Sequence, residues 1–339
     1  MSNRNIVCEE GTSKMVDILQ SPLISNEIKT YAAHYLARAK DLNLDLAKVR
    51  LTEIFNKERN PEIRGPLAIA LSKSKDTIFI PVLKTALIAE SDYRVKANIL
   101  RALGNFPYFK VKDIIIQNLK NENLHIATTA ANILVTNGDM MDVPLYAQYD
   151  TVTIPWQVRS KMNAAVLAHS ALFFTKSKSA FSERIKQNIK NAQSGFEKAA
   201  YIDALSKDAF NYNQLIQIFQ SESTNHPKMA AVEGLGNILR NPLFFKAFSN
   251  GYGKIKSEIL NVLGTSISSG DQGQIAVASG ILKDPALQWK EWVKDVTFMK
   301  EAKGKLKLPA DIESFNELSS CIAYLEGVDF KAEKPSYNH

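Results

Sequence analysis

Histidine and cysteine are the residues whose spacing would first reveal a metal site or a nucleophile, and in this chain they are scattered. The 339 residues include five histidines and two cysteines. They are His34, His125, His169, His226, His339, Cys8 and Cys321. No two histidines are four residues apart, and no two cysteines have the short spacing of zinc ligands. We therefore expect no metal site, no cofactor, and no disulfide between the two distant cysteines.

The glycine and carboxylate motifs of enzymes are missing as well. Gly234-Leu-Gly236 and Gly251-Tyr-Gly253 lack the third glycine of a dinucleotide-binding turn, and neither follows a predicted strand. The sequence has no Gly-x-Ser-x-Gly nucleophile elbow. The carboxylates Asp139 and Asp142 lie where a turn is predicted, and helix capping accounts for them. These absences predict that this chain is not an enzyme.

A helical unit between Asp92 and Gly104 supplies the pattern on which the chain is built. Its apolar residues are Val95, Ile99, Leu100 and Leu103. Their spacing places them in one stripe of a helix with about 3.6 residues per turn. Asp92 precedes the stripe, where its carboxylate can accept hydrogen bonds from free backbone N–H groups, and Gly104 follows it. The unit therefore predicts an amphipathic helix with its own start and stop signals.

Related units recur along the chain at intervals of about 32 residues, which is typical of a repeat architecture. The apolar residues that close successive units are Leu36, Leu71, Leu103, Leu134, Val166, Leu205, Leu235 and Leu263. Another helical pattern precedes the unit in several repeats, for example at 77–87 and 111–119. Each repeat is therefore predicted to be a pair of helices joined by a short polar turn. The unit that begins at Ile255 is assigned as the second helix of its pair.

Three sequence features of these units resemble the short type of HEAT-like repeat. They are Asn60-Pro-Glu-Ile-Arg64, Asp92-Tyr-Arg-Val-Lys96, and the Ala102-Leu-Gly104 and Asn261-Val-Leu-Gly264 endings. The resemblance covers about residues 20–285 and implies an all-α fold, an α-α superhelix (HEAT/ARM-like solenoid) of about eight or nine helix pairs. It implies little about function, because such arrays bind many unrelated partners.

The repeat pattern also predicts how the chain is divided. Residues 1–22 are expected to cap the array, 23–170 to form a first sub-array, 171–185 an insertion loop, 186–298 a second sub-array, and 299–339 a linker, a last helix and an extended tail. Trp289 and Trp292 lie three residues apart near the end of the second sub-array. We expect them to seal that end, although they would also suit a binding hot spot.

A row of cations is predicted near the start of the second helices. It consists of Lys29, Arg64, Lys96, Arg159, Lys198 and Lys256, with Ala127 in the corresponding position of one repeat. Together with the net charge of +7, this row suggests contact with a phosphate backbone, as in HEAT-like DNA glycosylases. Alternatively, each cation pairs with an acidic residue in a neighbouring turn while its alkyl stem covers the core. We favour the second interpretation.

A further set of positions is expected to lie on the concave face lined by the second helices. The candidate partner-binding residues are Tyr31, His34, Asn98, Arg101, Asn132 and Lys161. This mixture is poorer in cations than a nucleic-acid groove and suits a protein or peptide. Arg101 and Lys161 would pair with acidic groups, Tyr31 would supply contact area, and the asparagines would bind backbone. The sequence thus predicts a non-catalytic protein- or peptide-binding scaffold, with nucleic-acid binding as the alternative.

Hydropathy and the tail bear on location. No run of 18 or more apolar residues is present, so no membrane span is expected, and residues 1–10 lack the apolar core of a signal peptide. The array followed by Glu333-Lys-Pro-Ser-Tyr-Asn-His339 resembles the region ahead of the catalytic domain in bacterial fusions of such repeats to a cyclophilin-type peptidyl-prolyl isomerase. That resemblance implies presentation of client chains in the periplasm or cell envelope; without it, a cytoplasmic location is expected.

Overall fold

The computed structural model describes residues 9–39, 47–170 and 175–333, and every regular element within these ranges is a helix. The predicted all-α fold of paired helices is therefore confirmed, and the chain is a helical-repeat protein. The helices divide between two compact units. The first unit comprises residues 1–142 and 153–162, and the second comprises 143–152 and 163–339.

The first unit is built from four helix pairs. Its helices are α1 (Glu9–Gln20), α2 (Asn26–Arg38), α3 (Lys48–Lys57), α4 (Pro61–Lys73), α5 (Phe79–Ala89), α6 (Tyr93–Leu103), α7 (Tyr108–Gln117) and α8 (Leu124–Asn137). Each odd-numbered helix packs on the even-numbered helix that follows it. The even-numbered helices also pack on one another in succession, so they form a continuous layer of second helices.

Within the described residues, the second unit repeats this arrangement with four helix pairs and three further helices. Its helices are α9 (Val143–Gln148), α10 (Trp156–His169), α11 (Thr175–Asn191), α12 (Gly195–Leu205), α13 (Tyr212–Ser221), α14 (Asn225–Arg240), α15 (Pro242–Ala247), α16 (Tyr252–Ser268), α17 (Gln272–Leu282), α18 (Thr297–Gly304) and α19 (Ile312–Glu326). Residues 156–162 of α10 group with the first unit. The second-helix layer consists of α12, α14, α17 and α19, and their pair partners are α11, α13, α16 and α18.

Polar side chains fix where the second helices begin. Asn60, Asp92 and Asn123 each accept a hydrogen bond from the backbone N–H two residues ahead, at 3.1, 2.8 and 3.0 Å. These bonds satisfy donors that a helix leaves unpaired at its first turn. The predicted stripe of α6, from Val95 to Leu103, is buried in the core. The local start signal and the apolar stripe therefore agree, and together they set the repeat.

Three predicted features of the chain organisation need correction. Residues 175–185, expected to belong to an insertion loop, lie in α11, while 171–174 lie outside the described residues. The unit that begins at Ile255 lies in α16, which is the first helix of its pair with α17 and not the second. Residues 299–304, expected to be linker, lie in α18. The remaining sub-array boundaries stay predictions.

The tryptophans and the buried cysteine lie in the second unit. Trp289 begins a short 3-10 turn and is fully buried, whereas Trp292 is partly exposed. Cys321 is buried in α19, and burial raises the pKa of its thiol to about 12. Cys8 lies outside the described residues. Across the described ranges, no helix has both the length and the apolar character needed to cross a membrane.

Candidate partner-binding groove between α6 and α8

The exposed face of α6 carries an arginine that is held in place by its neighbour. Asn98 and Arg101 are three residues apart, so they lie on the same face of the helix. Arg101 Nη1 donates a hydrogen bond of 2.8 Å to Asn98 Oδ1, and Arg101 Nη2 lies 3.4 Å from His125 Nε2 on α8. Arg101 is exposed. Two contacts therefore orient a cation that remains accessible from solvent.

Asn98 has a second contact, with α4. A Cβ built on Gly65 would come within 2.6 Å of the Asn98 amide nitrogen, so the asparagine side chain fits against a position that has none of its own. Asn98 is half-buried as a result. Asn98 therefore braces Arg101 and packs α6 on α4, and its expected contact with a partner's backbone stays a prediction.

The neighbouring helix α8 supplies an amide that points to solvent. Asn132 is exposed, and among the residues that the structure describes its side-chain amide has no hydrogen-bond partner. Thr129, one turn earlier, is buried, and its hydroxyl donates a 2.7 Å hydrogen bond to the His125 carbonyl. Asn132 therefore offers both a donor and an acceptor to a ligand, and Thr129 does not.

A shallow groove of ≈ 210 Å³ separates the two helices beside these side chains. Its lining consists of Arg101, Gly104, Asn105, Thr129, Asn132, Ile133, Thr136 and Asn137. A Cβ on Gly104 would lie 3.1 Å from Ile133 Cγ1, which shows how closely the helices approach at the floor. Asn137 Nδ2 donates a 2.6 Å hydrogen bond to the Gly104 carbonyl and so fixes the spacing. We call this feature the α6–α8 groove.

The bond made by Asn137 belongs to a series that links successive second helices. Lys73 Nζ donates to the Ala39 carbonyl, and Asn105 Nδ2 donates to Ser72 Oγ at 2.8 Å. The three donors recur about one repeat apart and bond backward to the preceding repeat. Sequence reasoning missed them, although polar side chains at or just past the ends of three successive second helices were a detectable signal. They hold the layer that carries the groove.

An aromatic–imidazole pair flanks the groove at the start of the two helices. The rings of Tyr93 and His125 meet edge to face with centroids 5.9 Å apart. Tyr93 is 47% exposed. This contact was not predicted, because the two residues are far apart in sequence and neither occupies an expected concave position. Because His125 also contacts Arg101, the pair adjoins the cation that lines the groove.

The structure gathers some of the predicted site residues and leaves others apart. Arg101 and Asn132 line the groove, and Asn98 supports Arg101. Tyr31 and His34 lie on α2, where Tyr31 is 70% exposed and His34 is half-buried. Lys161 lies half-buried on α10. Tyr31, His34 and Lys161 are therefore not part of the α6–α8 groove, and their role in binding stays a prediction.

Three other positions with the same outward-facing spacing are instead inside the layer. Pro66 on α4 and Thr129 on α8, each three residues after the first apolar residue of its unit, are buried, as is Ala164 on α10, six residues after that residue. The reason is that second helices pack against one another as well as against their pair partners. The predicted outward-facing surface is therefore narrower than helix periodicity alone indicates.

The cation row serves the fold at the positions where its partners are described. Arg64 is buried, and its Nε lies 2.7 Å from Glu90 Oε2 in the turn before α6. Lys198 makes the corresponding contact of 2.9 Å with Glu222, in the turn before α14. These pairs agree with the favoured interpretation, in which each cation pairs with an acidic turn residue of the next repeat.

Two opposing effects set the pKa of the Glu90 carboxyl group in such a turn. Burial acts to raise its pKa, but hydrogen bonds from the backbone N–H groups of Asp92 and Ser91 and from Arg64 outweigh burial and hold the pKa below its ordinary value. Glu90 is therefore ionised at neutral pH and tied to both repeats.

Lys256 departs from the row. It lies on α16, which is the first helix of its pair, and it is buried. Its Nζ donates a 2.6 Å hydrogen bond to the Leu287 carbonyl. The row is therefore not a continuous cationic stripe on one surface.

Within the described ranges, no group of three or more histidine, cysteine or acidic side chains is arranged to hold a metal ion. His339 and Cys8 fall outside those ranges.

Comparisons with known proteins give only distant structural likenesses. No family model and no curated protein matches the chain. The crystal structure of Kap121p is 13% identical with a TM-score of 0.45, covering 95% of this chain and 37% of Kap121p. The crystal structure of Kap121p bound to Nup53p is 12% identical with a TM-score of 0.44, covering 95% of this chain and 37% of that chain. The chain thus spans little more than a third of the Kap121p length.

Human deoxyhypusine hydroxylase in complex with glycerol is 14% identical with a TM-score of 0.33, covering 82% of this chain and 96% of that protein. At such identities and TM-scores these likenesses carry no functional argument.

Proposed function

We propose that this chain is a non-catalytic scaffold that binds a protein or an extended peptide along the α6–α8 groove. The observation that supports this most directly is the exposed Arg101, held by Asn98 beside an unpaired Asn132 amide. Arg101 would form a charge-assisted pair with a carboxylate of the partner. The Tyr93 and His125 rings would supply apolar contact area at the border.

An asparagine amide can bind extended backbone in both directions, because it offers one donor group and one acceptor. The second unit contains an example of this pairing. Asn316 Nδ2 donates to the Glu333 carbonyl at 2.9 Å, and the Glu333 N–H donates to Asn316 Oδ1 at 2.8 Å. Asn132 would hold one residue of a bound peptide in the same way.

Nucleic-acid binding is less well supported. Arg64 and Lys198 pair with carboxylates, so these two cations are not available to a phosphate backbone. Among the described residues that line the groove, Arg101 supplies the single positive charge. A phosphate-binding surface would need several such cations side by side.

The isomerase resemblance gives a narrower form of the proposal, in which the scaffold presents client chains to a catalytic domain. Of the tail residues on which it depends, Glu333 is described and 334–339 lie outside the described residues. A client-presenting scaffold should bind unfolded chains in preference to folded ones. Binding of one reduced, unfolded protein and of its native form would be compared directly.

The groove is tested by an Asn98→Ala/Arg101→Ala/Asn132→Ala variant. In a quantitative pull-down we expect this variant to recover at least about tenfold less partner than the wild-type chain, because the oriented cation and the free amide are both removed. The matched control is Gln117→Ala/Lys120→Ala, which removes an exposed amide and an exposed cation beside α7. Equal recovery of the partner by the triple variant and the control would refute the proposal, provided that thermal melts show both to be folded.

A further inference from the structure

A second cavity, of ≈ 320 Å³, lies in the second unit beside α15 and α16. Its lining consists of Leu239, Arg240, Asn241, Phe245, Tyr252, Lys256, Ala286, Leu287, Gln288 and Trp292. Two of these residues are cations, three are aromatic, and none is a carboxylate. The cavity is about as large as the smallest ligand pockets, so it would enclose a single residue or a small molecule.

Lys256 is unusual among the residues of this cavity, because it is a lysine that is only 3% exposed and has few hydrogen-bonding neighbours. Its Nζ makes one hydrogen bond, to the Leu287 carbonyl, and lies 4.8 Å from the centroids of Trp289 and Trp292. Within the described ranges no carboxylate lies at ion-pair distance from it. An ammonium group has three N–H donors, so this buried charge is incompletely satisfied.

Burial lowers the pKa of Lys256, and the nearby charge of Glu291 opposes that shift only in part. The aromatic rings offset some of the cost of burying the ammonium through cation–π contacts. An anion that entered the cavity would complete the hydrogen bonding of Lys256 where water is largely excluded, and there a charge-assisted bond is strong.

The other walls favour an apolar group beside that anion. Phe245 is 58% exposed, and its ring meets that of Tyr252 with centroids 5.0 Å apart. Arg240 lies at the rim, where its Nε is 2.6 Å from Asp284 Oδ2 and its side chain is 37% exposed. A cation such as a quaternary ammonium would suit the rings, but Lys256 already occupies them and would repel it.

From this geometry we propose that the cavity binds a carboxylate carried next to an apolar or aromatic group, with Lys256 as the anion-binding residue and Phe245 and Tyr252 as the apolar wall. Two sources share that chemistry, namely the C-terminal residue of a peptide and a free aromatic acid. The site is separate from the α6–α8 groove and would exist even if that groove bound nothing.

The test uses calorimetric titration of the full chain with three probes. They are a tetrapeptide of three alanines and a C-terminal phenylalanine, the same peptide with an amidated C-terminus, and phenylacetate. We expect the free-acid peptide to bind at least about tenfold more tightly than the amide, because only the acid pairs with Lys256. If the free-acid peptide binds more tightly than phenylacetate by a similar factor, the natural source of the carboxylate is a peptide C-terminus. If the two bind equally tightly, the source is a free aromatic acid.

Three variants assign the binding to this cavity. Lys256→Met keeps most of the unbranched side chain but removes the ammonium group. It should weaken binding of the free-acid peptide at least about tenfold and leave binding of the amide unchanged. Because the loss of a buried group can disturb folding, Phe245→Ala provides a second variant at an exposed ring and should weaken both probes about fivefold. Lys290→Met is the control, since Lys290 is exposed and stacks on Tyr324 at 4.4 Å outside the cavity.

Either of two results would overturn the inference. One is equal binding of acid and amide by the wild-type chain, including no binding of either at about 10 mM, well above ordinary pocket affinities. The other is unchanged acid binding by folded Lys256→Met and Phe245→Ala chains. Loss of partner binding at the α6–α8 groove would not affect either outcome.

Discussion

Two arginines on neighbouring second helices form ion pairs of equal length in very different surroundings. Arg64 Nε lies 2.7 Å from Glu90 Oε2, and these side chains are 10% and 11% exposed. Arg94 Nη1 lies 2.7 Å from Glu62 Oε1, and these side chains are 53% and 58% exposed. Water solvates and screens the second pair but not the first, so the two pairs should respond differently to mutation.

Replacing Arg64 with methionine tests this difference. Methionine keeps most of the apolar stem, but it removes the guanidinium group that lies over the Phe55 ring and leaves Glu90 buried without a cation. The free energy of unfolding should therefore fall by about 3 kcal/mol. Urea unfolding at pH 7 measures the change. Arg94→Met, which breaks the exposed pair with Glu62 and also the pair with the helix cap Asp92, is the control and should still have a much smaller effect. Similar losses in the two variants would mean that burial does not decide the strength of these pairs.

At the scale of single residues, the sequence predicted positions better than partners. Helix periodicity correctly placed Arg101 and Asn132 on an exposed face, because that depends only on local spacing. It did not reveal that Arg101 meets His125, since that contact joins residues of different repeats. It also left two roles open for the cation row, because the pairing of Arg64 with Glu90 depends on the turn of the next repeat.

Carboxylates that cap helices make the stability of those helices depend on pH. The side-chain hydrogen bond from Arg94 is the largest cause that lowers the pKa of Asp92, and the backbone N–H groups of Arg94 and Val95 lower it further. A carboxyl whose pKa is depressed in the folded state adds stability above its unfolded pKa and loses it as the pH falls through the folded value. For Asp92 that loss begins below about pH 4.

The variant Asp92→Asn isolates this effect. Asparagine is also a good cap, but it cannot be protonated and it lacks the charge that pairs with Arg94. We expect the wild-type chain to melt at a higher temperature than the variant at pH 7, and the difference to shrink as the pH falls from about 4 towards about 2. Circular dichroism melts across this range measure it. A difference that stays constant, or grows in acid, would contradict the assignment.

Gly234 on α14 is needed for close helix packing, whereas Gly280 on α17 is not. A Cβ on Gly234 of α14 would lie 2.8 Å from Ser206 Cβ and 3.1 Å from Leu215 Cδ1, whereas a Cβ on Gly280 of α17 meets nothing within 4 Å. Gly234→Ala should therefore lower the free energy of unfolding by about 1–2 kcal/mol through overpacking. Gly280→Ala should raise it by up to about 1 kcal/mol through helix propensity. Chemical denaturation measures both, and stabilisation by Gly234→Ala would show that α14 can move away.

The helices that sequence analysis misjudged share a physical explanation. The start of α11 is rich in lysine and serine and has no apolar period, so it was taken for a loop. Its helix is anchored further along by Phe181, Ile185 and Ile189, which are buried at intervals of one turn. The role of α16 was misassigned because first and second helices carry the same apolar spacing, and only packing against α17 distinguishes them.

For the chain as a whole, the repeat pattern determined the fold class but not the partner. A period of about 32 residues with a cap and an apolar stripe in each repeat is sufficient to specify stacked helix pairs. The net charge of +7 does not identify a ligand, because several cations are used in contacts between repeats. We propose that recognition depends instead on small groups of exposed side chains, such as Arg101 and Asn132, whose surroundings are set by packing.

The measurement that tests the scaffold proposal most directly is recovery of bound material at two salt concentrations. The full chain would be used as bait at about 0.1 M and about 0.5 M salt, and what it retains would be examined by mass spectrometry and nucleic-acid staining. We predict that a defined set of proteins remains bound at the higher salt and is lost with the Asn98→Ala/Arg101→Ala/Asn132→Ala variant. Recovery of nucleic acid that falls steeply with salt, without such proteins, would contradict the proposal.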